Sequence, residues 1–473
     1  MRKIAEIKIK SLTPVSIGGH NPKKYDDAII RTSSVRGILR WWARALVAGV
    51  AYDHGLDEIK VVPKIVNKVF GGVDDDAKSS LISLKIGISN IDDLSNDEAE
   101  FMWQNSPRIK LLTMGMNKNE AIGYIKNTFK KNISAKVYLY SLARKPYEYQ
   151  ENVALIASFL AFTLGGLGKG SRRGFGAFYI EDINEFDVSD STHSLVNQLR
   201  RNLIRRNDSI QVVKDKLREI IRISREIIST KFDSGKPSKG IPKIHAITRE
   251  KYFHIFIKNV NTLEITNILD ALCFLQNLFL RNPKRLPQSI RSLSSYLQDA
   301  YGLHAARRLA SYFEGLPRSA ERKGIYRYVD KKLHQRLKMN NIPDNIDTGY
   351  KITYDRRASP IIASFINDHI IVLSVFLSSD WPDRLEWTSL HMINSRTKKP
   401  PSIKKRIFAD EFALRRFNID IKRGSISPIS SIYHTLTGGH IRLPVPSVST
   451  VYQAYNETIK YFNNNLKCKQ VWP

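Results

Sequence analysis

Residues 152–180 read NVALIASFLAFTLGGLGKGSRRGFGAFYI, and three kinds of local structure follow one another along them. Val153 to Leu164 is an apolar run of 12 residues, too short for the ~20 that a membrane-crossing helix needs, so Asn152–Leu164 is expected to be a buried helix. Gly165–Gly176 carries glycine at 165, 166, 168, 170, 174 and 176 and is expected to be a loop. Phe175–Ile180 then reads as a strand.

Working outward, Lys3–Lys10 alternates Ile4, Ile7 and Ile9 with Glu6 and Lys8, a half-buried strand that ends at Thr13-Pro14. A loop rich in Gly, Asn and Pro occupies Gly18 to Asp27. Ser33 and Ser34, good N-cap residues, lead into a helix over Val35–Gly49. Strands are expected at Leu81–Ser89, Arg108–Met114 and Ala135–Leu142, with a helix at Lys118–Thr128. The order strand, helix, strands, helix, strand predicts a ferredoxin-like unit, two helices on one face of an antiparallel sheet.

After residue 185 the character changes. Arg200–Lys231 is basic and amphipathic, with Leu203, Ile204, Val212, Leu217, Ile220, Ile221 and Ile227 as its apolar members, and Asp233–Gly240 reads as a linker. The second half offers a strand at Lys251–Lys258, a helix at Leu263–Phe279, a loop near Leu316–Gly324, a hairpin across Ser359–Leu377 and a helix at Tyr452–Asn463. The fold class is therefore α+β. The expected division is an amino-terminal ferredoxin-like domain, 1–185, a helical basic insert with linker, 186–245, and a second ferredoxin-like domain, 246–473.

The chain's 473 residues exceed one core at ~100–200 residues per domain. Its 75 Lys and Arg stand against 45 Asp and Glu, a net +30 that calls for a polyanionic partner. Nucleic acid is the natural candidate. Cys273 and Cys468 lie far apart, the histidines lack zinc-site spacing, and Asp74–Asp76 lacks calcium-loop spacing, so no metal and no cofactor are expected. The first ten residues carry no secretory pattern, and a cytoplasmic location is expected.

Two stretches could bind a nucleic-acid backbone. In RTSSVRGILRWWAR, residues 31–44, Arg36, Arg40 and Arg44 recur at i, i+4 and i+8 on one helix face, with Ile38 and Trp42 toward the other. A solvated stripe is the plain alternative, but no acid stands at i±3 or i±4 to neutralise these charges. Trp42 is expected in the core, while Trp41 could pack or stack on a base. In the glycine loop, Lys169, Arg172 and Arg173 add charge to backbone that can approach phosphate closely. A nucleotide-binding P-loop is excluded, since Thr163 holds the first glycine's place and Gly170 follows Lys169. The G-x-G-x-x-G pattern fails at Ser171. A plain tight-turn role for these glycines is the remaining alternative.

Taken together, Thr13-Pro14 with Gly18-Gly19, then S-V-R-G-I-L-R-W-W-A-R at 34–44, then the glycine loop closing a ferredoxin-like unit resemble the RAMP superfamily of CRISPR-associated proteins. Within it, R-G-x-L-R-W-W is similar to the first-numbered subunits of the type III-B Cmr effector complex. Gly315-Leu316-Pro317 with Arg318, Arg322 and Lys323, and Arg356-Arg357-Ala358-Ser359-Pro360, resemble the carboxy-terminal motifs more loosely. The resemblance implies two ferredoxin-like modules, assembly with other RAMP subunits near the 3′ end of a CRISPR RNA, capture of target RNA, and no catalysis by this subunit. By position it implies that Arg36, Arg40, Arg44, Lys169, Arg172 and Arg173 line the RNA path, with Arg318, Arg322, Arg356 and Arg357 as a second set.

Two other function classes stand beside RNA binding. Some RAMP proteins cleave RNA with a histidine or an aspartate after the first strand, and His20, Asp26 and Asp27 occupy that loop here. A basic membrane-surface protein would use Arg200–Lys231 as its amphipathic helix.

Overall fold

The alternating amino-terminal segment forms β1 (Arg2–Ser11), which buries Ala5, Ile7 and Ile9 and leaves Lys3, Lys8 and Lys10 half-buried on the opposite face. In the computed structural model the described residues are 1–16, 30–73, 77–233, 235–279, 286–300, 346–352, 359–379, 385–392 and 448–473. They fall into two compact units, one of Met1–Glu314, Ser359–Asp380 and Tyr452–Pro473, the other of Gly315–Ala358 and Trp381–Val451.

In the first unit, β1 leads to α1 (Thr32–Asp53), longer at both ends than its apolar pattern suggests, and to α2 (Glu58–Phe70), which the sequence reading passed over. Asp57 starts α2 by accepting a hydrogen bond from the Ile59 amide at 3.2 Å. The small pair β2 (Gly72–Val73) and β3 (Ala77–Lys78) precedes β4 (Ile82–Asp93). Then come α3 (Asn96–Asn105), α4 (Pro107–Leu112) and α5 (Lys118–Thr128). The strand expected at Arg108–Met114 is thus a helix. Ser106 caps it by accepting from the Ile109 amide at 3.1 Å, and Pro107 at its first position is pre-set for helical φ, which outweighs the apolar run.

β5 (Lys130–Ser141), α6 (Glu148–Leu164) and β6 (Phe178–Glu185) complete this part. The sheet order is β4-β5-β1-β6, every neighbour antiparallel. Counted along the chain its strands stand second, third, first, fourth, which is the ferredoxin-like order. α1, α2 and α6 pack on one face. The stretch at 200–231 is not one helix: α7 (Asp190–Arg201) and α8 (Ile210–Ser229) are separated where Asp208 accepts from the Arg205 amide at 2.8 Å and Ser209 caps α8. The apolar face of α8, with Val213, Leu217, Ile220, Ile221 and Ile228, is buried in the protein core. That face is spent on packing, which removes the membrane-surface reading.

The second sheet belongs to the same unit. It is built from β7 (Phe253–Asn259), β9 (Ile361–Phe365), β10 (Ile370–Phe376) and β12 (Lys469–Trp472) in the order β12-β7-β10-β9, again antiparallel and again ferredoxin-like. Its helices are α9 (Ile268–Asn277) and α10 (Val448–Lys460), the latter widening into a π turn at Tyr461–Asn465. β9 and β10 are buried throughout because both faces are covered. Phe376, packed on Phe253, meets α1 through Trp41 and Trp42, while Phe256 packs on Phe462 on the other side. Two strands of the second unit, β8 (Ile346–Ile352) and β11 (Leu385–Met392), pair antiparallel with Trp387 opposite Tyr350.

The second sheet carries a pH-sensitive group. Burial pushes the His254 imidazole down from 6.5 to about 4, and its Nδ1 lies 2.6 Å from the Tyr455 hydroxyl. Below pH 6.5 the unfolded chain takes up a proton that the folded chain refuses until about 4. His254 therefore costs no stability above pH 6.5, and its penalty grows as the pH falls from 6.5 toward 4, to at most roughly 3 kcal/mol. Urea denaturation at pH 7, 5.5 and 4.5 is expected to show a shallower acid loss for His254→Gln than for the unaltered chain; equal slopes would contradict the assignment.

Candidate nucleic-acid interface

The glycine loop between α6 and β6 is hooked onto the end of β1. The Gly176 amide donates to the Pro14 carbonyl at 2.9 Å, the Lys169 amide to Ser16 at 2.7 Å, and the Leu167 amide to Gly176 at 2.8 Å. Thr13 Oγ1 donates to the Gly174 carbonyl at 2.7 Å and accepts from the Ala177 amide at 2.9 Å. Thr13-Pro14 and the loop are therefore one device. Gly176 is required there: its φ is +62°, and a Cβ would stand 1.9 Å from the Leu167 carbonyl oxygen.

The loop lies against the start of α1. Ser34, Gly37, Ile38 and Trp41 on the helix, the loop from Gly165 to Gly168, Ser171 and Arg172, and Ile362 of β9 enclose an open cavity of about 240 Å³. No side chain caps α1 and no acid stands in its first turn, so its leading amides remain suited to an anion. Trp41 is half-buried, edge-on to Trp42 at 5.0 Å and to Phe376 at 5.5 Å, and borders the cavity. Trp42 is buried, as its position on the helix predicts.

Arg36, Arg40 and Arg44 sit on a neighbouring face of α1 and do not line that cavity. Arg40 Nη2 donates to Asn67 Oδ1 on α2 at 3.3 Å. Burial, then the charges of Arg44 and Arg36, hold the Arg40 guanidinium below its ordinary range. Arg44 is exposed, and Arg36 Nε is buried without a hydrogen-bond partner. Among the described residues no carboxylate pairs with any of the three. The cluster thus carries mutual repulsion that an anion would relieve.

Arg172 and Arg173, expected on the RNA path, also hold the fold together. Arg172 Nη1 donates to the Ser359 carbonyl at 2.8 Å, and its guanidinium lies 5.0 Å from the Trp41 ring centre. Arg173 Nη1 donates to the Ile361 carbonyl at 3.1 Å, and its guanidinium lies 4.6 Å from the Phe279 ring centre. The Ala363 amide donates to the Arg172 carbonyl at 3.1 Å. The two arginines clamp β9 to the loop, a role with no local sequence signal, since the partners lie almost two hundred residues away. Lys169 is half-buried beside them. Arg318, Arg322, Arg356 and Arg357, and also His20, Asp26 and Asp27, lie outside the described residues. Among the described residues no group of His, Cys, Asp or Glu is placed to hold a metal ion, and no helix is long and apolar enough to cross a membrane.

Residues 8–179, from β1 through the glycine loop into β6, match the RAMP superfamily. This stretch is RAMP-like, and the chain is similar to a Cmr1 subunit. A curated relative, CRISPR system Cmr subunit Cmr1-1 of Pyrococcus furiosus, is 24% identical over 273 residues, covering 55% of this chain and 69% of its own. A chain of the type III-B Cmr-beta complex bound to cognate target RNA superposes with a TM-score of 0.52 at 14% identity, covering 82% of this chain and 97% of that one. The same complex with target RNA, AMPPnP and single-stranded DNA gives 0.52 at 15%, covering 81% and 96%. Cmr1 from Pyrococcus furiosus in its apo form gives 0.44 at 18%, covering 80% and 88%. The Cmr-beta likenesses are likenesses of fold, and the RAMP match spans the elements that build the interface.

Proposed function

We propose that this chain is a non-catalytic RNA-binding subunit of a type III-B Cmr effector, seated near the 3′ end of the CRISPR RNA and helping to capture target RNA in the cytoplasm. The observation that carries the reading is the unneutralised Arg36–Arg40–Arg44 cluster on the helix that abuts the glycine loop. A phosphate backbone supplies the missing charge without demanding a base sequence. The α1 amino terminus, Lys169 and the cavity beside Trp41 extend the same surface. The cavity falls below the ~300–1,000 Å³ of most small-molecule pockets and suits one planar group better than a whole cofactor. Likeness to a Cmr subunit supports partner RAMP subunits, likeness to a Cmr-beta chain bound to target RNA supports that strand, and the CRISPR RNA belongs to the same proposal. The division into domains 1–185, 186–245 and 246–473, with Arg318, Arg322, Arg356 and Arg357 as further RNA contacts, belongs to the same proposal.

The competing reading is an endoribonuclease acting through His20 or Asp26 and Asp27. Guide and target RNA are incubated with the purified chain and with its reconstituted complex, with and without EDTA. The His20→Ala and Asp26→Asn/Asp27→Asn variants are run alongside. The expected outcome is RNA bound and intact with the purified chain, and no change in any cleavage by the complex on introducing these variants. Cleavage abolished by either variant would make the chain an enzyme.

A further inference from the structure

The two sheets differ in one respect: among the described residues the second is covered on both faces, whereas the first has helices packed on one face. On the uncovered face, Lys8 and Lys10 of β1 alternate with the core residues. Beside them β5 contributes Lys136, Tyr138 and Tyr140, and β4 contributes Lys85 and Gly87. Lys8 and Lys136 are direct cross-strand partners, and like charges placed opposite one another destabilise a sheet. Their compensation is partial. Lys8 reaches Asp182 at 3.5 Å and Lys136 reaches Glu6 at 3.3 Å, with all but Glu6 about 40% exposed. Glu6 is shared, since Lys3 also bonds to it at 3.0 Å. Lys85 is exposed, and no acid pairs with it or with Lys10 among the described residues. At the β6 edge, Glu181 accepts the Tyr179 hydroxyl at 3.0 Å.

Aromatic rings stand among these lysines. Tyr138 and Tyr140 lie side by side along β5, centroids 6.4 Å apart and planes 32° apart, both half-buried. Gly87 carries no side chain to crowd Tyr138, whose ring would be 3.5 Å from a Cβ there. Lys3 Nζ is 4.9 Å from the Tyr138 ring centre and 3.5 Å from that of Phe186, which is 47% exposed. The ring spacing is close to twice the ~3.4 Å rise of stacked bases, so an unstacked strand could lay one base on each ring.

We propose that this helix-free face is a second RNA surface, on which Tyr138 and Tyr140 stack successive bases of an extended single strand while Lys8, Lys85 and Lys136 meet its phosphates. A protein partner is disfavoured by the composition: the centre of the face is lysine and tyrosine, and lysine is depleted at the centres of protein–protein interfaces. The surface extends the RNA-binding reading but stands on different strands and different residues from α1.

The test is fluorescence anisotropy of a labelled 12-mer of uridine on the full chain. Tyr138→Ala/Tyr140→Ala is expected to weaken binding roughly 5- to 100-fold with little change in salt dependence, and Tyr138→Phe/Tyr140→Phe to restore it. Lys8→Ala/Lys136→Ala is expected to flatten the log–log salt slope by about 1.4 without lowering the melting temperature, since it removes a like-charge pair. Each variant is repeated in an Arg36→Ala/Arg40→Ala/Arg44→Ala background. Loss from the sheet variants with none from the α1 variant would sink the α1 reading alone. Unaltered affinity of a folded Tyr138→Ala/Tyr140→Ala variant overturns the proposal. So does unaltered affinity combined with lost co-assembly with purified RAMP subunits, which would make the face a protein interface.

Discussion

Asp53→Ala is expected to destabilise the first compact unit by roughly 3–5 kcal/mol, the usual cost of stranding one member of a buried ion pair. Asp53 ends α1 and pairs with Arg225 of α8, both side chains about 10% exposed. Arg225 also donates to the Ile247 carbonyl, and the Arg249 amide donates to Asp53 Oδ2 at 2.7 Å. One carboxylate thus holds a helix end, a neighbouring helix and the segment entering the second sheet. Burial pulls the Arg225 guanidinium below its ordinary range, with the Asp53 charge opposing that shift. Without Asp53 the guanidinium stays buried, its neighbour Arg249 being of like charge. Asp53→Asn, which keeps an acceptor, is expected to lose less. Asp53→Ala/Arg225→Leu is expected to recover most of the loss, since neither charge is then buried. Urea denaturation measures all three. A loss below about 1 kcal/mol for Asp53→Ala would show that the pair is dispensable.

The second large effect concerns RNA. Arg36→Ala/Arg40→Ala/Arg44→Ala is expected to lower affinity for single-stranded RNA on the order of a hundredfold or more at low salt, from three charge-assisted contacts. The log–log salt slope should fall by about 2, at ~0.7 per phosphate released. Uridine-rich and adenosine-rich strands should lose alike, because phosphate contacts carry no base information. None of the three arginines belongs to the buried core, so the fold is expected to persist. A variant that changes sequence preference while keeping its salt slope would place the three arginines on bases instead of phosphates.

Much of the architecture is legible along the chain because the two periodicities are clean. β1 alternates every second residue, α1 repeats its buried Leu39, Trp42, Leu46 and Val50 at helical spacing, and the glycine loop marks the crossing back to β6. At Pro107–Leu112 a Ser-Pro helix start outweighs the apolar residues that suggest a strand. α2 and α3 were also readable, through the Asp57 cap and the reciprocal Ser95–Glu98 cap. The split between α7 and α8 was marked by Asp208 and Ser209.

Of the site, the arginine stripe and the loop's closeness to α1 were legible because both are local patterns or share a strand end. The work of Arg172 and Arg173 was not. Their charge suggests phosphate contact, and their bonds to the Ser359 and Ile361 carbonyls come from a second sheet whose position no local pattern encodes. Lys136, Tyr138 and Tyr140 do announce themselves, at a spacing of two along one strand, but only the sheet order reveals that Lys8 stands opposite.

Crosslinking tests the central claim most directly, with 4-thiouridine-substituted single-stranded RNA irradiated on the intact chain and the adducts mapped to peptides. The account predicts adducts in the peptides holding residues 31–44 and 165–176, lost at high salt. Adducts absent from both stretches, under conditions where RNA is bound, would contradict it.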